Sequence, residues 1–168
     1  MNTIETSGIT VVNELDVRGR AILALIAQYI PGFRGRYFGF KPTGDNDIVF
    51  PAIFVDPVDE SPQLATTGKY EMKWGYDLIF FAVENNPEEL ATLISSCAES
   101  LVKLFSNNAL TDIGSGNTGK FKAYAPFWIG SEMSGVQISK AFQNPDPNNP
   151  SLMRAGRMRL EIEDVILK

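Results

Sequence analysis

The chain contains no histidine, which excludes a Ser-His-Asp or Cys-His nucleophile and every histidine-containing metal site. Three other patterns match sequences that do chemistry elsewhere. Gly114 to Gly119, GSGNTG, fits G-x-G-x-x-G, the spacing at which glycines let a backbone approach a pyrophosphate. A dinucleotide site, however, needs strand, glycine turn and helix in that order. Here a helical pattern precedes the glycines and a strand pattern follows, so the stretch reads as a flexible loop. Ser100 and Lys103 form S-x-x-K without the S-D-N or K-T-G partners that such a nucleophile needs. Glu161 and Glu163 share one strand face like an acid/base pair, yet ordinary solvated carboxylates have the same pattern and nothing marks a cleft. Cys97 falls on an apolar helical stripe, the place of a small buried residue. No catalytic residue, cofactor site or metal site is expected.

Fifteen Lys and Arg against twenty Asp and Glu leave a net charge of −5, a poor balance for gripping a phosphate backbone. The densest basic group is Arg154, Arg157 and Arg159. Arg157 and Arg159 share a strand face with Glu161 and Glu163, which predicts a solvated or cross-strand paired face. Arg34 and Arg36 lie among the aromatics of Phe33 to Phe40, a base-stacking pattern too short to carry that role in an acidic chain. Packing of Tyr37 and Phe38 under a loop is expected instead.

The elements that would position these residues centre on Tyr70 to Phe105. Tyr70, Met72, Trp74, Tyr76, Leu78 and Phe80 alternate with Glu71, Lys73, Gly75 and Asp77, the period-2 signature of a half-buried strand. From Leu78 to Val83 both faces turn apolar, which predicts an end central in the sheet and covered on both sides. Asn85 or Asn86 as cap, Pro87 at the first helical position and Glu88 and Glu89 at the positive helix end then start a helix. Its stripe is Leu90, Leu93, Ile94, Cys97, Leu101 and Leu104.

Before this unit, Leu15, Ile22, Leu25, Ile26 and Tyr29 mark a first amphipathic helix closed by Pro31 and Gly32. Residues 1–12 read as an arm or a short strand. Ile48 to Val55 is a strand whose Pro51 belongs at a start, a bulge or an edge. Asp56 to Gly68, polar and without period, reads as a surface loop. After the central helix come a polar loop over Asn107 to Gly119 and strands over Phe121 to Ile129, Val136 to Phe142 and Arg154 to Lys168. The last has Met158, Leu160 and Ile162 facing in and a bulge expected near Glu163. The link QNPDPNNPS, Gln143 to Ser151, is too proline-rich for a tight turn and is expected to project.

At 168 residues and 44% apolar composition, one domain with its own core is expected, needing neither disulfide nor metal to fold. The lone cysteine permits no internal disulfide and fits a reducing compartment. No apolar run reaches the roughly 18 residues of a membrane span, and MNTIETSG lacks the basic start and apolar core of a signal peptide. A soluble protein that is not exported by such a signal is expected. The strand and helix patterns together give an α+β class with about four or five strands, two main helices and a projecting hairpin or loops.

Length adds a constraint. Tyr70 to Val83 fully extended spans about 46 Å at roughly 3.3 Å per residue, more than the roughly 40 Å diameter of a compact chain this long. The strand must bend, with Gly75 the expected place, or project toward a neighbouring subunit. Trp74 and Tyr76 then lie on its outer half, where aromatics facing water mark an interface. Trp128 and the arginines Arg154, Arg157 and Arg159 join them as candidate contact residues.

This layout, an N-terminal amphipathic helix, a FPAIFV strand, a long loop, the YDLIFFAVENNPEELATLISS strand-to-helix unit and a strand pair ending in RMRLEIEDVIL, resembles the tail terminator (tail completion) proteins of long-tailed bacteriophages. The resemblance runs from about Leu15 to Leu167 and is one of pattern, since that family has no invariant signature. It implies a mixed, mostly antiparallel sheet with both helices packed on one face, in a virion structural protein with no catalytic activity and no cofactor. Its subunits would close into a hexameric ring that caps the tube built of tail tube protein and meets the neck or connector proteins, with a sheath where the tail is contractile. DNA would pass through without specific binding, along a wall for which Asp45, Asp47, Asp56, Asp59 and Glu60 are the candidates. A head-completion or neck connector protein, and a small histidine-free enzyme or ligand-binding module, are the alternatives. The Gln143 to Ser151 link has no counterpart in the resemblance.

Overall fold

A computed structural model of the chain describes residues 14–40, 48–66, 69–106, 132–133, 136–144 and 151–167. In order they form α1 (Glu14–Tyr29), β1 (Gly35–Phe38), β2 (Ala52–Thr66), β3 (Lys69–Glu84), α2 (Pro87–Ser106), β4 (Glu132–Met133), β5 (Gln137–Ile138), β6 (Phe142–Gln143) and β7 (Leu152–Leu167). The sheet order is β1-β2-β3-β7-β4, with β5 and β6 also on β7. β4, β5 and β6 are thus successive pieces of one interrupted edge, and the four or five strand positions expected from the sequence are filled. β1 lies parallel to β2 and the other pairings are antiparallel. The α+β expectation holds.

The alternation along β3 decides which face is covered. Trp74, Tyr76, Leu78, Phe80 and Ala82 join Ile53 and Val55 of β2 and Met158, Leu160 and Ile162 of β7 in one core with Ile22 and Ile26 of α1 and Leu90, Ile94, Cys97, Leu101 and Leu104 of α2. Both helices therefore lie on one face. Each large side chain buried there contributes about 1.5–3 kcal/mol. α2 starts where its caps require, and Asn86 rather than Asn85 is the cap: its Oδ1 accepts from the Glu88 and Glu89 amides at 2.9 and 3.5 Å. In α1, Ile22, Leu25 and Ile26 are buried, but Tyr29, expected on the same stripe, is 45% exposed in the last turn. Gly19 has a packing reason, since a Cβ there would collide with the Phe38 ring and come within 3.0 Å of Tyr76. The missing side chain lets α1 approach the sheet closely.

Four expectations are corrected. Asp56 to Thr66, expected within a surface loop, is strand: β2 continues through it and pairs with β3 as far as Thr66 opposite Lys69. Pro57 and Pro62 are tolerated within the strand because neither has to donate to β3. The Gly39 amide donates to the Val55 carbonyl at 2.8 Å, so Val55 points its backbone away from β3, and alternation turns Pro57 the same way. A register slip between Pro57 and Asp59 then brings Glu60, Pro62 and Leu64 onto the outward row.

Second, β7 has no bulge near Glu163. Its register against β3 runs unbroken from Leu167 opposite Lys69 to Leu152 opposite Glu84, and the two register shifts lie on β2, between Pro57 and Asp59 and between Leu64 and Thr66. Third, Val136 to Phe142 is not one strand. Ile138 pairs with Gly156 and Phe142 with Met153, so the edge uses one residue more than β7 does. Ser139 bridges the mismatch, its amide donating to the Ala155 carbonyl at 2.8 Å and its Oγ accepting from the Ala155 amide at 2.9 Å. Fourth, Tyr37 and Phe38, expected only to pack under a loop, belong to a strand, Gly35–Phe38, paired with β2.

Pro51 does sit at a strand start, immediately before Ala52. At the ends of the Gln143 to Ser151 link the Asn144 amide donates to the Ser151 carbonyl at 2.9 Å, while residues 145–150, on which the expected projection falls, lie outside the described residues. Residues 1–12, the glycine motif at 114–119 and the expected strand over 121–129 lie outside the described residues. No helix among the described residues is long and apolar enough to cross a membrane.

Candidate interaction face

The side of the sheet away from the helices is built from the odd-numbered positions of β3 and β7, and the sequence makes its two ends unlike. At one end Phe54, Tyr37, Phe40 and Phe81 cluster. Tyr37 stacks on Phe54 at 5.0 Å between ring centroids, while Phe40 and Phe81 meet it edge-on at 5.7 and 5.8 Å. Phe40 remains 44% exposed and nearby Val49 51% exposed. The Tyr37 hydroxyl accepts from the Val49 amide at 3.0 Å, tying the chain before β2 to β1.

The other end is an ion-pair row. Asp77, opposite Arg159 on β7 and Asp56 on β2, is only 7% exposed. Its Oδ2 accepts from Arg157 Nη2 at 2.6 Å, and Arg159 Nη1 lies 3.8 Å from its Oδ1. Arg159 also reaches Asp59 at 2.7 Å and Glu161 at 3.5 Å, and Lys73 lies 3.9 Å from Glu161. Gly75 makes room for this row, since a Cβ there would occupy the space of the Asp59 carboxylate and the Arg159 guanidinium. Individual exposed pairs of this kind contribute about 0–1 kcal/mol. The network fixes the positions of the arginines, leaving the Arg157 side chain 62% exposed and held by Asp77.

Arg157 and Arg159 therefore sit on the cross-strand paired face that their alternation with glutamates predicts. Arg154 does not join them: its Nε donates to the Ser139 carbonyl at 2.9 Å on the interrupted edge. Trp74 and Tyr76, expected at an interface because they would otherwise face water, are both 0% exposed. α1 covers them. The Tyr76 hydroxyl donates to the Leu15 carbonyl at 2.6 Å, and the Arg18 guanidinium lies 3.7 Å from the centroid of the Trp74 ring, a cation–π contact. Glu60, a candidate wall residue expected in a loop, lies on β2 and accepts from Trp74 Nε1 at 3.1 Å, and Asp59 is paired with Arg159. Asp56 lies half-buried on β2. Asp45, Asp47 and Trp128 lie outside the described residues.

Sequence reasoning passed over Arg18 and Asp77. Arg18 falls in step with Leu15 and Ile22 on the buried stripe, a signal hidden by the habit of placing arginine outside. Asp77 was visible only as the polar partner in an alternation. Among the described residues no cluster of acidic side chains and cysteine is arranged to hold a metal ion. Ser100 lies on α2, where its motif partner Lys103 is engaged by Glu99 at 2.9 Å. The face is a patterned surface of aromatic and fixed guanidinium groups, suited to contact.

Cys97 is 8% exposed on the core side of α2, and burial pushes its thiol up to about 11. The thiolate is the reactive form, so a thiol reagent at pH 8 is expected to modify native protein at least tenfold more slowly than denatured protein. Fast native labelling would contradict the placement. Cys97→Ser is expected to lower stability by about 1–3 kcal/mol through burial of a hydroxyl, read from the shift of a denaturation midpoint.

No protein-family model matches this chain, and no curated protein matches it.

Proposed function

We propose that this chain is a structural subunit of a long-tailed phage particle: a tail terminator that closes into a ring, hexameric by the resemblance of its layout. The ring caps the tail tube and joins it to the neck. One observation carries the reading. β3 and β7, 16 residues each, stay paired over their whole length, from Lys69 opposite Leu167 to Glu84 opposite Leu152. Fully extended that is about 53 Å at roughly 3.3 Å per residue, against a diameter of roughly 40 Å for a compact chain of this length, so the ladder is long enough to reach a neighbouring subunit. The patterned open face and the order of elements, with both helices on one side, support the same reading.

The partners are further copies of the chain, the tail tube protein and the neck or connector proteins, in a virion assembled in the host cytoplasm. DNA crosses such a ring without being held. The support is the net charge of −5, because several Lys or Arg contacts per subunit, repeated around a ring, would make a salt-dependent trap.

Light scattering over a concentration series, alone and with tail tubes, tests the proposal. A closed assembly of fixed mass, formed alone or on tube ends, is the expected result, with negligible duplex binding at about 0.1 M salt. A monomer under both conditions at tens of micromolar overturns the ring. Micromolar duplex affinity that falls steeply with salt overturns the passive channel and points to Arg34, Arg36 and the C-terminal arginines.

A further inference from the structure

The outer edge of β2 is long. β1 pairs only with Ala52 to Val55, and among the described residues no strand pairs with the outer side of β2 from Asp56 to Thr66. Edges of this kind add strands from other chains, because each outward residue offers an N–H and a C=O. In β2 the outward row is Val55, Pro57, Glu60, Pro62 and Leu64, by the alternation that begins at the Gly39 to Val55 hydrogen bond and shifts at the slip between Pro57 and Asp59.

We propose that Pro57 and Pro62 hold this edge closed to strand addition by any extended segment, including one from a second copy of the chain. Beyond Val55, two of the four outward positions have no N–H to give. Glu60, the donor between them, is flanked on both sides by a missing one, and the slip beside Val58 also breaks the even spacing a docking strand requires. Pro57 limits β1 as well. Continuing the parallel ladder past Gly39 would require a donor at Pro57 for the Gly39 carbonyl, so the pairing of β1 ends at Phe38 opposite Val55. The prolines are placed where they cost β2 nothing against β3 and remove donors only on the outside. The inference is independent of the ring, since an edge of this kind endangers a monomer as much as a subunit.

The test is the double variant Pro57→Thr with Pro62→Thr, which restores both outward donors with a strand-favouring residue. Against the parent at equal concentration, light scattering is expected to show assemblies several-fold larger whose size grows with concentration, together with a several-fold rise in thioflavin T fluorescence. A folded double variant with the parent's mass and no dye response overturns the proposal. Because the double variant could lose its fold, a second one, Pro57→Lys with Pro62→Lys, carries the same restored donors but places charges along the edge, where they oppose strand stacking. It is expected to stay soluble at the parent's size, with the parent's circular dichroism. If the lysine variant is as insoluble as the threonine variant, the prolines serve the fold and the proposal fails.

Discussion

Trp74→Ala is expected to destabilise the isolated subunit by about 3–5 kcal/mol, the range for removing a fully buried tryptophan. That is a large share of the stability of a domain this size. The indole is 0% exposed, its Nε1 donates to Glu60 and its face carries the Arg18 guanidinium. Truncation therefore empties the space under the first turns of α1 and removes the platform of a buried cation. Chemical denaturation should show a lower midpoint with little change in slope, at a protein concentration low enough to keep assembly out of the measurement. The result separates two roles for the same residue. If Trp74 were an interface anchor, Trp74→Ala would leave the unfolding midpoint in place and weaken only the assembly.

Gly156→Val is the second large effect. On strand propensity alone valine should help, by up to about 1 kcal/mol. Gly156 pairs with Phe80, however, and a Cβ built on it would collide with the Phe80 ring. That ring is 0% exposed and makes an edge contact with Phe33 at 6.3 Å between centroids, so it has nowhere to retreat. Overpacking of this kind costs about 1–3 kcal/mol, occasionally more, and the net change should be a clear loss. The companion variant Phe80→Leu supplies the control. Combined with Gly156→Val, its cost should fall short of the sum of the two single losses by about 1 kcal/mol or more, the size of coupling expected for residues in contact. Strict additivity would show that Phe80 does not rest on Gly156.

The parts of the fold written in local pattern were legible without coordinates. Leu78 to Ala82 and the Leu90 to Leu104 stripe each carry a period that only one element satisfies. The Asn86, Pro87, Glu88 and Glu89 sequence states a helix start through local hydrogen bonding and charge. The pairing of Arg157 and Arg159 with acidic groups was legible for the same reason, since alternate residues of a strand share a face whatever lies around it. Both helices falling on one side was implied only by the resemblance, because Leu78 to Val83 is apolar on both faces and its pattern names no single covered side. Ile79, Phe81 and Val83 on the far face are only half-buried.

Other features had no local signature. Pro57 and Pro62 end a strand or leave it intact depending on which way their nitrogens point. That direction is set by pairing with β3 and by a slip beside Val58, neither of which is written in DPVDESPQ itself. Trp74 and Tyr76 looked exposed from the length of their strand, but their burial is decided by where α1 lands, a helix some 50 residues earlier in the chain. Arg18 inside and Tyr29 outside reverse the usual preference of each residue, because the indole of Trp74 offers a cation an aromatic face while the last turn of α1 remains in solvent. Composition and period determined the elements. Tertiary structure decided which polar groups are paired and which aromatics are covered, because those outcomes depend on contacts between residues far apart in sequence.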